Sequence, residues 1–387
     1  MRAAGVVLTL LAIASAMGAT GSCPRPAQPG DPLRGLTSDE LQRFEQGREV
    51  FARIFTPETG LGPLFNSDAC GECHENPVVG GSGDEVELHV AALRPNGLCD
   101  PLPDSGGFVI QQHVTPALHA ALGIDSEPIP AGANERAMRS TPDLFGFGLL
   151  DAVPDSEILA LADPEDRNHD GISGRPNYSV DGRLGRFGRK AFVPSLAEFN
   201  AGAFVIEMGI TNPAQPTEET IGGRPIPAGV DPVPEPEISQ TDLDRLDDFV
   251  RFLAPPAPLP LDNDGERGRL IFGTIGCAGC HVPSLRTGAS PVRALSYHQV
   301  YAYTDLLLHD MGADRADICL GDALPSEFRT EPLMGLRFMK TFLHDGKATS
   351  IEAAVRLHGG EATASRKRFE SLSQVSRDAL LRFLNSL

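Results

Sequence analysis

The chain has 387 residues, 41% of them hydrophobic and 22% charged, enough length and apolar content for two folded units with their own cores. A formal net charge of −19 argues against nucleic acid or an anionic membrane surface as partner, and is compatible with a small basic protein as partner. Beyond the first two dozen residues no stretch of about eighteen apolar residues occurs, so the mature protein is expected to be soluble or only tethered.

The opening run MRAAGVVLTLLAIASAMGATGSC has one arginine, an apolar segment of signal-peptide length and then small residues. This reads as an export signal over residues 1–22, not a membrane span. Cys23 follows Thr20-Gly21-Ser22 and stands where a lipoprotein cysteine would, although threonine replaces the usual aliphatic residue. A lipid anchor at Cys23 and simple cleavage, for instance after Ala16, both stay open, and the expected location is the periplasm or the cell envelope.

SDELQRFEQGREVF predicts an amphipathic helix with Ser38 as N-cap, running through Gly47 and Phe51 toward CGECH, Cys70 to His74. On a helical turn, positions i, i+3 and i+4 share a face. Two thiols there can take the two vinyl arms of one porphyrin while the adjacent imidazole lies beneath the iron, the arrangement by which c-type haem is attached. The motif returns as CAGCH, Cys277 to His281, after DGERGRLIFGTIG, with Gly268 and Phe272 in the places of Gly47 and Phe51. A zinc site or a redox dithiol competes for each pair. Zinc would need four ligands converging from motifs about two hundred residues apart, and a dithiol has no need of the histidine.

Between the motifs, residues 139–163 parallel residues 328–355, each with an Arg-Thr or Arg-Ser-Thr start and then a short helix. DRNHDGISGRPN has the Asp-x-Asn-x-Asp-Gly opening of a calcium loop, with Asp166, Asn168 and Asp170 as oxygen ligands and Gly171 for the turn. Its twelfth position is Asn177 rather than glutamate, so a weak calcium site and a calcium-like turn both fit. PSLAEFNAGAFVIEMGITNP places Glu207 in an apolar segment, where burial raises a carboxyl pKa. Residues 211–238 are rich in proline and glycine and read as a connection. SQTDLDRLDDFVRFLAPP is a helix opened by Ser239 or Thr241, with Leu243, Leu246, Phe249, Val250 and Leu253 on one face, and RDALLRFLNSL closes the chain as another. Cys99 and Cys319 lie outside the motifs and are either a disulfide or two separately buried thiols.

Few segments alternate with period two. The expected fold class is therefore mainly α: two cytochrome c-like domains with long loops, residues 36–210 and 239–387, joined by 211–238, each carrying one covalently bound haem c.

GLGPLFNSDACGECHENPVVGGSG, TPDLFGFGLLDAVPD, NHDGISGRPN, EMGITNP, YTDLLLHDMG, EFRTEPLMGLR and FLHDGKATSIEAAVRLHGGEA together resemble the bacterial di-haem oxidoreductases related to di-haem cytochrome c peroxidases. The resemblance implies a ligand to the C-terminal haem on the helix after the HDG-type turn, commonly methionine. Here that helix offers His358, which would lower the potential relative to methionine; Met311 of LLLHDMG competes, while His309 and His344 are expected to bond haem propionates or backbone. The corresponding ILALAD of the first repeat holds neither histidine nor methionine, which leaves the first haem open or capped by His89 in a resting state, unless His89 is merely structural. The resemblance also makes Glu207 the proton shuttle for peroxide cleavage; a surface glutamate at a helix end is the other reading. Two departures stand out. The chain has no tryptophan to link the haems, only the cluster Tyr297, Tyr301 and Tyr303, and in place of the expected upstream glutamine stand Phe199 and Asn200. The implied function is an exported di-haem oxidoreductase, peroxidase-like, with an N-terminal haem that takes peroxide or a related small oxidant and a C-terminal haem that relays electrons. A non-catalytic di-haem electron-transfer cytochrome is the alternative, and coordination of the first haem separates the two.

Overall fold

The computed structural model describes residues 25–387; the export-signal reading of 1–22 and the anchor reading of Cys23 fall outside the described residues. Eight helices position the two motifs: α1 (Ser38–Phe51), α2 (Cys70–Cys73), α3 (Phe147–Asp151), α4 (Leu196–Met208), α5 (Gln240–Phe252), α6 (Asn263–Thr274), α7 (Ile351–Leu357) and α8 (Gln374–Leu384). The strands that matter are β1 (Val86–Leu93), β2 (Cys99–Asp100), β3 (Val109–Ile110), β4 (Glu135–Ser140), β5 (Leu308–Asp310) and β6 (Glu327–Arg329).

Helix α1 begins one residue earlier than the serine suggested. Thr37 is the N-cap, because Glu40 stands three residues on and its carboxylate accepts from the Thr37 amide at 2.7 Å, closing a capping box. The helix buries Phe44, Gly47, Val50 and Phe51 against Leu243, Leu246, Phe249 and Val250 of α5. Phe249 packs on Phe44 and Phe51 with ring centres 5.2 and 5.0 Å apart. At the crossing the backbones nearly touch: a β-carbon on Gly47 would lie 1.9 Å from the Arg245 carbonyl oxygen. The second unit repeats this. α6 crosses α8, a β-carbon on Gly268 would lie 2.0 Å from the Ala379 carbonyl oxygen, and Phe272 meets Phe383 at 5.5 Å.

This pairing corrects the expected boundaries. Helix α5 packs in the first unit, against α1, α3 and α4, not in the unit that starts at residue 239. It closes the first unit as α8 closes the second, because its apolar face matches the α1 face that Gly47 leaves open. Residues 211–238 are thus an excursion within the first unit, and the proline-rich stretch after Phe252 joins the two. The repeat also holds at Gly146 and Gly335, which turn the chain with φ of 77° and 78° ahead of equivalent short helices.

Helices dominate as expected, but β1 to β4 form a four-stranded antiparallel sheet that the composition did not suggest. β1 is its centre, with Val90, Ala91 and Ala92 fully buried. The halves are not separable bodies: one apolar core contains α1, α4 and α5 together with Leu285, Leu295, Val300, Leu306 and Leu307. Cys99 on β2 is bonded to Cys319, with Cα atoms 5.7 Å apart, which settles that open pair and closes a long loop between the halves. Lys190 is fully buried, its ammonium 2.8 Å from Asp317, which also takes the Arg139 guanidinium at 2.7 Å.

Gly47→Ala and Gly268→Ala each force two helix backbones apart and should destabilise the fold by about 1–3 kcal/mol. Chemical denaturation measures this; stabilities equal to the parent would show that the crossings are looser than described.

Candidate functional site

The first CxxCH folds as a single helical turn, α2, in which the His74 amide donates to the Cys70 carbonyl at 3.0 Å. The second forms a tighter turn with the same bond, from the His281 amide to the Cys277 carbonyl at 3.0 Å. Both motifs thus bring two thiols and an imidazole to one face.

The histidine environments separate ligands from bystanders. His74 donates from Nδ1 to the Gly81 carbonyl at 3.0 Å, His281 to the Tyr303 carbonyl at 2.9 Å, and His358 to the Ala354 carbonyl at 2.7 Å. A carbonyl only accepts, so each Nδ1 carries the proton and each Nε2 keeps a free lone pair, the tautomer and outer-shell bond of a metal ligand. Burial pushes His74 and His358 down and His281 to about 4, so all three are neutral, as ligation requires. His89, by contrast, spends Nε2 on Glu87 at 3.1 Å. His344 stacks on Phe328 at 4.1 Å, and His309 has both nitrogens on carboxylates rather than on backbone.

Across the second motif, the ring centres of His281 and His358 lie 6.5 Å apart, with the ring planes tilted by 47°. An imidazole nitrogen sits about 2 Å from a bound transition-metal ion, so two imidazoles on opposite sides of one ion have ring centres about 6 Å apart. The spacing fits iron between them. The carbonyl of Met311, the competing candidate, packs against Gly359, next to His358. Phe51 lies 5.8 Å from His74 and Phe272 6.4 Å from His281, equivalent walls from α1 and α6.

The thiols fit thioether attachment better than the competing chemistries. Burial pushes Cys70, Cys73 and Cys277 up to about 12, and Cys280 up as well, so none is the thiolate that a redox dithiol needs. Among the described residues no cysteine joins two other ligand atoms in a zinc-like group. Cys70, Cys73 and His74, and Cys277, Cys280, His281 and His358, are the residues that could hold two haem groups.

The other face of the first motif is different. Glu207, in the last turn of α4, is close enough to Cys70 and Cys73 for its charge to act on both thiols. Its Oε2 accepts from the Asn66 side-chain amide at 2.8 Å, and its main-chain carbonyl from the Asn66 amide at 2.7 Å. Glu87 of β1 reaches the same carboxyl. Burial, then the charge of Glu87, push Glu207 well above the usual carboxylate range. Burial works against the charge on Glu87 too, but the hydrogen bond from His89 and the Arg139 charge favour its anion and hold Glu87 below the usual range. The pair therefore shares one proton, carried by Glu207. Asn66 and Cys73 line an open cleft of about 740 Å³, together with Phe65, Ser67, Glu85 and His113.

Sequence reasoning found Glu207 but missed Asn66 and Glu87, which reach it from other segments. Nor is the glutamine near Asn200: Asn200 bonds Asp247 at 3.0 Å, while Gln111, just past β3, donates to the carbonyl of Ile206 beside Glu207 at 3.0 Å. Of the three tyrosines only Tyr303 is buried, edge-on to Phe272 and Phe383; Tyr297 and Tyr301 are exposed. The calcium reading loses its closing ligand. Asn177 is fully buried and bonds the carbonyls of Lys190 and Leu320, while Asp166 and Asn168 accept from main-chain amides of Asp170 and Gly171 within their own turn. A carboxyl cluster does form in 211–238, from Glu218, Asp231, Glu235 and Glu237, where burial and mutual repulsion push Glu218 to about 10 and Glu237 to about 8.

Residues 134–387 match the family described as "Di-haem oxidoreductase, putative peroxidase", a match that takes in Glu207, the second CxxCH and His358. No curated protein matches the chain. Among solved structures, Kuenenia stuttgartiensis hydrazine synthase overlaps at 13% identity and a TM-score of 0.43, covering 100% of both chains. A MauG-like protein associated with microbial copper homeostasis overlaps at 14% identity and 0.42, covering 94% of this chain and 92% of that one. The diheme peroxidase BthA from Burkholderia thailandensis E264 overlaps at 16% and 0.41, covering 94% and 93%. The family match, not these overlaps, assigns the chain.

The shared proton is measurable. Infrared difference spectra at neutral pH should show a protonated carboxyl band that Glu207→Gln removes. Glu87→Gln takes away the neighbouring negative charge, so the band should titrate at lower pH; a band indifferent to both substitutions would place the proton elsewhere.

Proposed function

The chain belongs to the di-haem oxidoreductase family, and from that premise we propose an exported di-haem c-type enzyme with peroxidase-like activity. Cys70, Cys73 and His74 would hold an N-terminal haem on the substrate side, and Cys277, Cys280, His281 and His358 would hold a C-terminal haem for electron transfer. Bound there, the haem irons supply the redox centres at which a peroxide is reduced to water.

The chain's own groups supply orientation and protons. Asn66 points the Glu207 carboxyl, and ionised Glu87 keeps the proton on it. A neutral carboxylic acid both donates and accepts, so Glu207 can take the proton from one peroxide oxygen as it gives its own to the other. The cleft beside Asn66 and Cys73 admits a small molecule such as peroxide. At the second motif, His281 and His358 are spaced so that both would ligate one iron, which would suit electron transfer rather than substrate binding. Electrons come from a small redox protein, one of basic charge matching the −19 of this chain. Export rests on the leader sequence, which delivers the protein to a compartment where the Cys99–Cys319 bond persists.

The observation that carries the enzymatic reading over an electron carrier is the proton-bearing Glu207, whose partner Asn66 lines an open cleft at the first motif. A carrier has no use for either.

Protein made with c-haem maturation machinery should keep two covalent haems after denaturation, and Cys277→Ala with Cys280→Ala should remove one; zinc with no haem in the parent protein would end the proposal. Glu207→Gln keeps the shape but cannot exchange the proton, so peroxide turnover should fall ~10²- to 10⁴-fold with both haem spectra intact. A loss below about threefold is too small for an acid–base role.

A further inference from the structure

His309 is used by none of the steps above, yet it is 3% exposed with its ring fully engaged. Nε2 lies 2.8 Å from Asp305 Oδ2, and Nδ1 lies 2.9 Å from Glu361 Oε2 and 3.4 Å from Cys280 Sγ. Carboxylate oxygens on both nitrogens require a proton on each, so the ring is an imidazolium between two anions.

Its partners come from the segments that carry the two axial histidines. Asp305 follows Tyr303 by two residues, and the Tyr303 carbonyl fixes His281. Cys280 directly precedes His281. Glu361 follows His358 by three residues. His358 is the first residue past α7, with ψ of 128°, so the helix alone does not hold the chain beyond it. That chain is held through Glu361, whose Oε1 takes the Ser173 hydroxyl at 2.6 Å and the Asp310 amide at 3.3 Å, and by close approach: a β-carbon on Gly360 would lie 2.0 Å from the Asp310 carbonyl oxygen.

We propose that His309 is a positioning residue: its ring ties the segment bearing His281 to the segment bearing His358, and so sets the distance between the two imidazoles across the second haem. The inference rests on the bis-histidine reading of that haem. Without the brace, the segment beyond His358 keeps the Glu361 bonds to Ser173 and the Asp310 amide and the Gly360 contact, but loses its link to Asp305 and Cys280 beside His281, and His358 is held at the site less often. Loss of a charged hydrogen bond at each end acts on ligation, not on the haem attachment, since Cys277 and Cys280 keep their places.

Carbon monoxide binding to the fully reduced holoprotein tests this, with low-spin and high-spin signals of the oxidised protein as the second readout and the first haem as internal control. The parent's second haem should bind little carbon monoxide, and His358→Ala should open it. His309→Leu should raise the fraction of second haem that binds carbon monoxide about tenfold, a change that needs only about 1.4 kcal/mol of weakened ligation. Glu361→Gln, which keeps the shape and removes one anion, should shift it the same way and decides the matter where His309→Leu yields no loaded protein. If His358→Ala leaves the second haem closed, the bis-histidine reading itself fails. If His358→Ala opens it while His309→Leu and Glu361→Gln bind no more carbon monoxide than the parent, the brace is overturned and the reading stands.

Discussion

In each unit of this protein a carbonyl oxygen of one helix occupies the space where another residue type would carry its β-carbon: Arg245 at Gly47, Ala379 at Gly268. The contact is small, but the rest hangs on it. It lets α1 meet α5, and α6 meet α8, closely enough for Phe249 and Phe383 to reach across and wall the motifs from behind. Each CxxCH turn then stands in front of a fixed aromatic surface, with Phe51 against His74 and Phe272 against His281.

From this repeated frame the two sites diverge by what faces the imidazole. In the second unit a short helix delivers His358, whose Nδ1 is committed to its own helix. In the first the equivalent helix, residues 155–159, has nothing to deliver, and a carboxyl pair from α4 and β1 lies beside the motif instead. A buried pair of carboxyl groups cannot both ionise, so one proton is retained where an acid is wanted. His89 and Arg139 decide which group keeps it, by favouring the anion on Glu87. The asymmetry is thus one of the side chains that a repeated helix pair carries to each motif.

The halves are joined by more than the chain. The core shared from α1 to Leu307, the Cys99–Cys319 bond and the buried Lys190–Asp317–Arg139 group all cross from one to the other. Removing one member of such a buried charge group leaves another uncompensated, at a cost of roughly 3–5 kcal/mol. Rigidity between the units suits the electron exchange proposed above, which needs a constant separation.

Much of this could be read before any coordinates. The spacing of Cys70, Cys73 and His74, and its recurrence at Cys277, is local chemistry, because a single turn is enough to gather the three groups. Gly47 and Phe51 announced their counterparts Gly268 and Phe272, and the apolar face of α5 was visible in its heptad-like spacing. The partner of that face was not, since an apolar stripe does not name the stripe it will cover; only packing placed α5 with α1 rather than with the unit that follows it. The sheet was hidden because its strands beside β1 are two residues long apart from β4, too short for an alternating pattern to register. The same reason hid the site's supporting groups. Glu207 was legible as an acid in an apolar run, but Asn66 and Glu87 lie more than a hundred residues away in the chain and become its neighbours only when α4 docks beside α2 and β1. Residue identity and local spacing determined which chemistry is possible here; which proton is held, and which histidines keep a free nitrogen, depends on contacts between distant segments, and those exist only in the folded chain.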